Sequence, residues 1–233
     1  MVHDPRAKRW AGGLIVSCQP LEGGAMDQDE TVVAMALAAQ AGGATALRIE
    51  GAARVRQVVA RVGIPVIGIV KRDLAGSAVR ITPLLEDVDA LCAAGAAVVA
   101  VDATQRLRPV QVAALLQRIR QGPCLAMADC SCLTDGLAAR DLGFDWVGST
   151  LSGYTADTVC AEDSPPDWAL IRQLSQRGCW VVAEGRLRTP AQAAQALREG
   201  ARAVTVGSAI TRVEHITSWF ALALSPPVPD AGA

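Results

Sequence analysis

Histidine and lysine are almost missing from this chain of 233 residues. Its two histidines, His3 and His215, stand near opposite ends of the sequence, which leaves little material for a histidine-based zinc site or a Ser-His-Asp triad. Of the 22 basic residues only Lys8 and Lys71 are lysines; the other 20 are arginines. No basic run exceeds two residues and the net charge is −1, so neither nucleic acid nor an anionic membrane is an expected partner. No apolar stretch is long enough for a membrane helix, and Met1 to Trp10 lacks the apolar core of a signal peptide, so a cytoplasmic location is expected. Nothing resembling G-x-G-x-x-G follows an apolar run, and G-x-x-x-x-G-K-[ST] and H-E-x-x-H are absent. The seven cysteines are scattered and odd in number, as expected of reduced thiols; Cys130-x-Cys132 is too close and too isolated for zinc. The Met and Trp residues are scattered too, and read as core or rim.

What is present is apolar and periodic. Hydrophobic residues make up 51% of the chain and charged ones 19%. Short apolar runs alternate with Ala-rich amphipathic segments. The runs are 13–19, 46–51, 66–71, 96–104, 124–130, 144–150, 179–186 and 203–209. Between them, helices are expected from Asp29 (capped by Asp27 or Asp29), over Ala53–Val62, from Thr82-Pro83 with Thr as cap, from Pro109 to about Gln121, over Leu133–Leu142, over Asp167–Gln176, from Thr189-Pro190, and over Val213–Leu224. Gly42-Gly43, Gly95, Gly143 and Gly200 each precede an apolar run, where a left-handed cap would turn the chain back into the sheet. Runs apolar on both faces suit strands buried between an interior and a ring of helices. Eight such units in one chain point to an α/β fold, a single TIM (β/α)8 barrel domain over 1–233, with a polar N-terminal segment 1–12 and a fraying tail 225–233. An open doubly wound sheet is the alternative, weakened by the missing glycine fingerprint.

In such a barrel the active site lies at the C-terminal ends of the strands. Those ends carry Gln19, Arg48 and Glu50, Lys71, Asp102, Asp129, Ser149 and Thr150, Glu184 and Arg186, and Ser208. Lys71 is notable because the chain otherwise uses arginine. Arginine stays protonated at any physiological pH, whereas a lysine of lowered pKa can serve as a base or form an imine. The segments Ala183-Glu184-Gly185-Arg186 and Val206-Gly207-Ser208-Ala209 read as a cradle whose glycines let backbone approach an anion, with Arg212 just beyond.

Several motifs carry a resemblance: Leu14 to Gln19, Ile67 to Asp73, Ile81-Thr82-Pro83, Val101 to Thr104, Met127-Ala128-Asp129, Thr150 to Thr155, Ala183-Glu184-Gly185 and Val206 to Arg212. Together, over about Gly13 to Phe220, they resemble the N-acetylmannosamine-6-phosphate 2-epimerase family. The resemblance implies inversion of C2 of that sugar phosphate in sialic-acid catabolism, on a cofactor-independent TIM barrel that is usually a homodimer. It implies catalytic roles for Lys71 and Glu184, substrate contacts for Gln19, Arg48 and Asp129, and phosphate contacts for Gly207 and Arg212. From the cradle reading, Gly185 and Arg186 join the substrate contacts and Ser208 the phosphate contacts; no metal is expected. Glu50 departs from the family pattern and is expected to place a carboxylate near Arg48. Two alternatives remain at this point: an aldolase-type lyase with an imine on Lys71, and a non-catalytic sugar-phosphate-binding barrel.

Overall fold

The computed structural model describes residues 10–161 and 163–224, so the segment 1–12 is covered only from Trp10 and the tail 225–233 lies outside the described residues. Eight strands pair in chain order, all parallel, and the last closes onto the first. They are β1 (Gly13–Cys18), β2 (Ala46–Glu50), β3 (Val66–Ile69), β4 (Val98–Asp102), β5 (Leu125–Asp129), β6 (Trp146–Gly148), β7 (Val181–Ala183) and β8 (Ala203–Val206). The helices α1 (Asp29–Ala41), α2 (Ala52–Val59), α3 (Leu85–Ala93), α4 (Val112–Arg120), α5 (Leu133–Leu142), α6 (Trp168–Gln176) and α7 (Pro190–Arg198) each follow one strand. After β8 come a single turn, α8 (Ser208–Thr211), and α9 (Val213–Leu224). This is a closed TIM barrel. The four expected glycine caps all hold left-handed backbone, with φ of 97° at Gly43, 88° at Gly95, 101° at Gly143 and 103° at Gly200. Among the described residues no helix is long and apolar enough to cross a membrane.

Side chains alternate across each strand, so every strand feeds two cores. Leu47, Ile49, Val99, Val101, Ala126 and Ala128 face outward into the layer under the helices. Ile15, Ala46, Ile67, Ile69, Val98, Ala100, Leu125, Met127 and Val182 face inward. Trp146 and Trp180 share that interior, stacked with centroids 4.8 Å apart, and Trp10 meets Trp146 edge-on at 4.4 Å. These three aromatics fill the N-terminal end of the barrel, so three of the five tryptophans scattered in sequence converge in space. The same parity carries Ser17 and Gln19, Arg48 and Glu50, Asp102, Asp129, Glu184 and Gly207 inward at the opposite end.

Three expected helix starts are revised. Thr82 does not cap α3; its φ is 46°, and its buried hydroxyl donates to Ala100 O at 2.7 Å and accepts from Val70 N at 3.2 Å, bridging β3 and β4. Leu84 precedes that helix instead, and its N–H is held by Asp87. Pro109 does not open α4, which begins three residues later, because the Arg108 guanidinium gathers the carbonyls of Asp102, Thr104 and Val110 and keeps this stretch a loop. Neither Asp27 nor Asp29 caps α1; both carboxylates pair with Arg54. By contrast Thr189 caps α7 through Gln192 N, with Gln192 reaching back to the Thr189 N–H and Pro190 in the first turn.

Candidate active site

The C-terminal mouth of the barrel holds a cavity of about 670 Å3. Gln19, Arg48, Lys71, Glu184, Gly185, Arg186, Gly207, Ser208 and Arg212 all line it. Asp129 does not. It is fully buried, and its carboxylate is spent on neighbours: Arg48 Nη1 donates to Oδ1 at 3.2 Å, Arg48 Nη2 to Oδ2 at 2.6 Å, and Thr150 Oγ1 to Oδ1 at 2.6 Å. Asp129 therefore stands behind the cavity wall and orients Arg48.

Arg48 is only 1% exposed and reaches a second carboxylate, with Nη1 3.5 Å from Glu184 Oε2. Burial opposes the charge on Arg48, but Asp129 and Glu184 outweigh it and raise its pKa above the ordinary arginine value. Glu184 sits just past β7 with 15% of its side chain exposed. Ser149 fixes it from the neighbouring strand end, accepting from Glu184 N at 3.0 Å and donating to Glu184 O at 2.8 Å. Burial pushes the Glu184 carboxyl up, with the Asp129 charge adding to it, while Arg48, the Thr150 hydroxyl and Lys71 pull the other way; the net shift is upward. Thr150 Oγ1 also lies 3.2 Å from Glu184 Oε2. A threonine hydroxyl has one proton, and the shorter bond to Asp129 takes it. Its pull on the Glu184 carboxylate is correspondingly weak, in keeping with the net upward shift.

Lys71 is shifted the opposite way. Burial lowers its pKa first, Arg212, Arg48 and Arg80 add to the lowering, and Glu50 opposes them. Among the described residues no carboxylate lies within ion-pair distance of Lys71 or Arg212. Arg212 is anchored by its Nε, which donates to Gln19 O at 2.9 Å. One sequence expectation changes here. Glu50, expected near Arg48, makes no ion pair with it among the described residues and instead accepts from the Lys71 backbone N–H at 3.4 Å. The neighbouring Arg72 turns away from Lys71 to Asp87 at 2.7 Å and Glu86 at 3.3 Å.

Other residues have duties the sequence did not reveal. Arg186, at φ 56°, donates to the carbonyls of Ser152 and Pro165 and so pins the loop after β6. Asp102 lines the cavity but is held by its own turn, accepting from Thr104 N, Thr104 Oγ1 and Arg106 Nη2. Ser17 and Thr205 line the wall one layer below Gln19 and Gly207. The alternation of β1 and β8 could have found both, and the buried Thr205 Oγ1 has no protein partner among the described residues. Arg80, Arg106, His215 and Trp219 reach the mouth from loops and α9, for which periodicity offers no signal. Although His215 lies near one end of the sequence, it lines this cavity.

A family model described as "Putative N-acetylmannosamine-6-phosphate epimerase" matches residues 32–225. The chain is 58% identical over 226 residues to a Klebsiella pneumoniae (strain 342) protein, covering 97% of this chain and 95% of that one. It is 60% identical over 208 residues to a Yersinia pseudotuberculosis (serotype O:3, strain YPIII) protein, covering 89% and 88%. Both relatives carry the description "Putative N-acetylmannosamine-6-phosphate 2-epimerase". Among solved structures, the N-acetylmannosamine-6-phosphate 2-epimerase of Clostridium perfringens superposes with a TM-score of 0.90 at 37% identity, over 96% of this chain and 98% of that one. The thiamine phosphate pyrophosphorylase of Pyrococcus furiosus shares the fold alone, with a TM-score of 0.60 at 16% identity over 91% and 93% of the two chains.

Proposed function

The chain belongs to the N-acetylmannosamine-6-phosphate epimerase family, and we propose that it interconverts N-acetylmannosamine 6-phosphate and N-acetylglucosamine 6-phosphate by removing and returning the proton on C2 of the opened sugar. The observation that carries this reading is the opposed environment of two groups on one cavity: a lysine whose pKa is lowered and a glutamic acid whose pKa is raised. A neutral Lys71 accepts the C2 proton, the Arg48 guanidinium stabilises the enolate, and protonated Glu184 delivers a proton to the opposite face. The phosphate lies toward Arg212, Gly207 and Ser208, where a cation with no carboxylate at ion-pair distance among the described residues meets the turn after β8. Gln19, Gly185 and Arg186 bound the sugar, and Asp129 acts through Arg48.

Proton transfer of this kind needs no redox cofactor, and the guanidinium supplies the positive charge an enolate requires. The setting is cytoplasmic, in amino-sugar catabolism. The active form is a homodimer, a reading supported by α9, whose Phe220, Leu222 and Leu224 are exposed at 69%, 71% and 85%.

Turnover of N-acetylmannosamine 6-phosphate in D2O tests the reaction: the product should carry deuterium at C2. Borohydride added with substrate tests the route, because a lowered lysine would serve imine chemistry equally well. Activity should survive the treatment. Substrate-dependent inactivation with sugar attached at Lys71 would move the protein to the aldolase-type reading, and no turnover at all would leave a binding barrel.

A further inference from the structure

The sulfurs of Cys92 and Cys124 lie 3.0 Å apart, closer than two non-bonded sulfur atoms ordinarily approach. Cys92 is the penultimate residue of α3, and Cys124 immediately precedes β5. Both are at the barrel end opposite the mouth, and neither lines the cavity. Their surroundings differ. Cys124 is buried at 3% exposure, and its thiol lies 3.1 Å from Ala96 O; Cys92 is partly exposed. From this geometry we propose that Cys92 and Cys124 form a peroxide-responsive thiol pair that closes to a disulfide and staples α3 to the start of β5.

Cys92 is suited to react first because it is reachable and because the Cys124 thiol donates to its sulfur. That hydrogen bond lowers the Cys92 pKa, outweighing burial and the charge of Asp89. Burial raises the thiols of Cys18, Cys130 and Cys179 instead and keeps them unreactive. The Cys92 thiolate attacks one oxygen of hydrogen peroxide, giving a sulfenic acid and, after protonation, water. The Cys124 sulfur then displaces the hydroxyl from the Cys92 sulfur, forming the S–S bond and a second water. Two thiols are oxidised and one peroxide is reduced to two waters. Small-molecule thiols would reverse the reaction by exchange through the partly exposed Cys92 sulfur.

The bond would close the loop 92–124, which contains β4, the Asp102 turn at the mouth and α4. It constrains the unfolded chain without touching the cavity, so the oxidised protein should gain stability and keep its activity.

The test treats the fully reduced chain with stoichiometric hydrogen peroxide. The expected product is lighter by two hydrogen atoms, with tryptic peptides 81–106 and 121–140 cross-linked. Peptide 121–140 also holds Cys130 and Cys132, so the cross-link must vanish in both Cys92→Ser and Cys124→Ala. Alanine keeps the buried site apolar where serine could prevent folding. Oxidised wild type should melt several degrees above the reduced form, with turnover unchanged, and a reducing thiol should restore both mass and Tm. Three results would each overturn the proposal: Cys92 running on to sulfinic acid without cross-linking, a cross-link that survives Cys124→Ala, or oxidised protein that melts no higher.

Discussion

The two ends of this barrel are built on the same inward-facing strand positions from opposite materials. At the N-terminal end those positions hold Trp146 and Trp180, joined by Trp10 from the preceding turn, in a layer that shuts out water. At the C-terminal end they hold Arg48, Asp129 and Glu184, with Lys71 just past β3. The closed end gains from burial, roughly 25 cal/mol per Å2 of apolar surface. The open end loses by it, because burying charges is costly unless they are paired. The mouth meets that cost unevenly. Arg48 is paired with two carboxylates through its terminal nitrogens, although its buried Nε has no hydrogen-bond partner among the described residues, whereas Lys71 and Arg212 have no carboxylate within ion-pair distance among them. Stability should therefore reside at one end and chemistry at the other, and substitutions can test whether the division is that clean.

The largest effect is expected for Lys71→Arg. It locks in the positive form at a similar length and so removes the neutral, proton-accepting form. General-base contributions run to about 10^2–10^4-fold, so kcat should fall by roughly a thousandfold. The melting temperature should stay close to wild type. A kcat within a few-fold of wild type would remove Lys71 from the mechanism.

Trp146→Ala is the mirror experiment at the closed end. Losing a fully buried indole that contacts two others should cost about 3–5 kcal/mol of stability. Denaturant titration would read that loss, and assays well below the new midpoint should find kcat little changed. A large fall in kcat in the folded protein would mean that the two ends are coupled.

Arg212→Ala probes the mouth away from the reacting carbon. A lost charge-assisted bond to phosphate is worth about 1.5–3 kcal/mol, so KM for the phosphorylated sugar should rise roughly tenfold or more. An unphosphorylated sugar should barely register the change. Equal losses on both would make Arg212 a structural tie to Gln19, whose carbonyl it holds.

The contrast between the ends also explains what could be read without coordinates. All eight strands were legible because alternation and glycine caps are local signals, and each cap proved left-handed. Local signals failed where a side chain acts across strands. Thr82 resembles a helix cap but bridges β3 and β4 with its hydroxyl, and Pro109 resembles a helix start but lies in a loop gathered by Arg108. At the mouth, strand-end position identified which residues gather, yet not how they divide the work. Asp129 and Glu184 are both acidic strand-end residues. Only the neighbouring strands decide that one is spent on Arg48 and Thr150 while the other faces the cavity. Glu50, expected beside Arg48, turned out to serve Lys71.

That last contact supports the smallest predicted effect. Glu50 accepts from the Lys71 backbone N–H, and its charge opposes burial, Arg212, Arg48 and Arg80 in setting the pKa of the lysine. Glu50→Gln keeps the shape and the acceptor but removes the negative charge. The Lys71 ammonium then loses a stabilising neighbour, so its pKa must move further down. A base with a lower pKa is deprotonated at lower pH, so the acid limb of kcat/KM should shift to lower pH. The mutant-to-wild-type ratio should be highest, by a factor of a few, on that limb and return toward a constant once Lys71 is neutral in both. A purely structural defect would instead depress kcat/KM by the same factor at every pH. The titration can also be seen without turnover, because lysines labelled at the ε-carbon give one signal from Lys71 and one from Lys8. Lys8→Arg assigns them. A Lys71 midpoint that does not move in Glu50→Gln would separate Glu50 from the base and leave the arginines and burial to set its pKa.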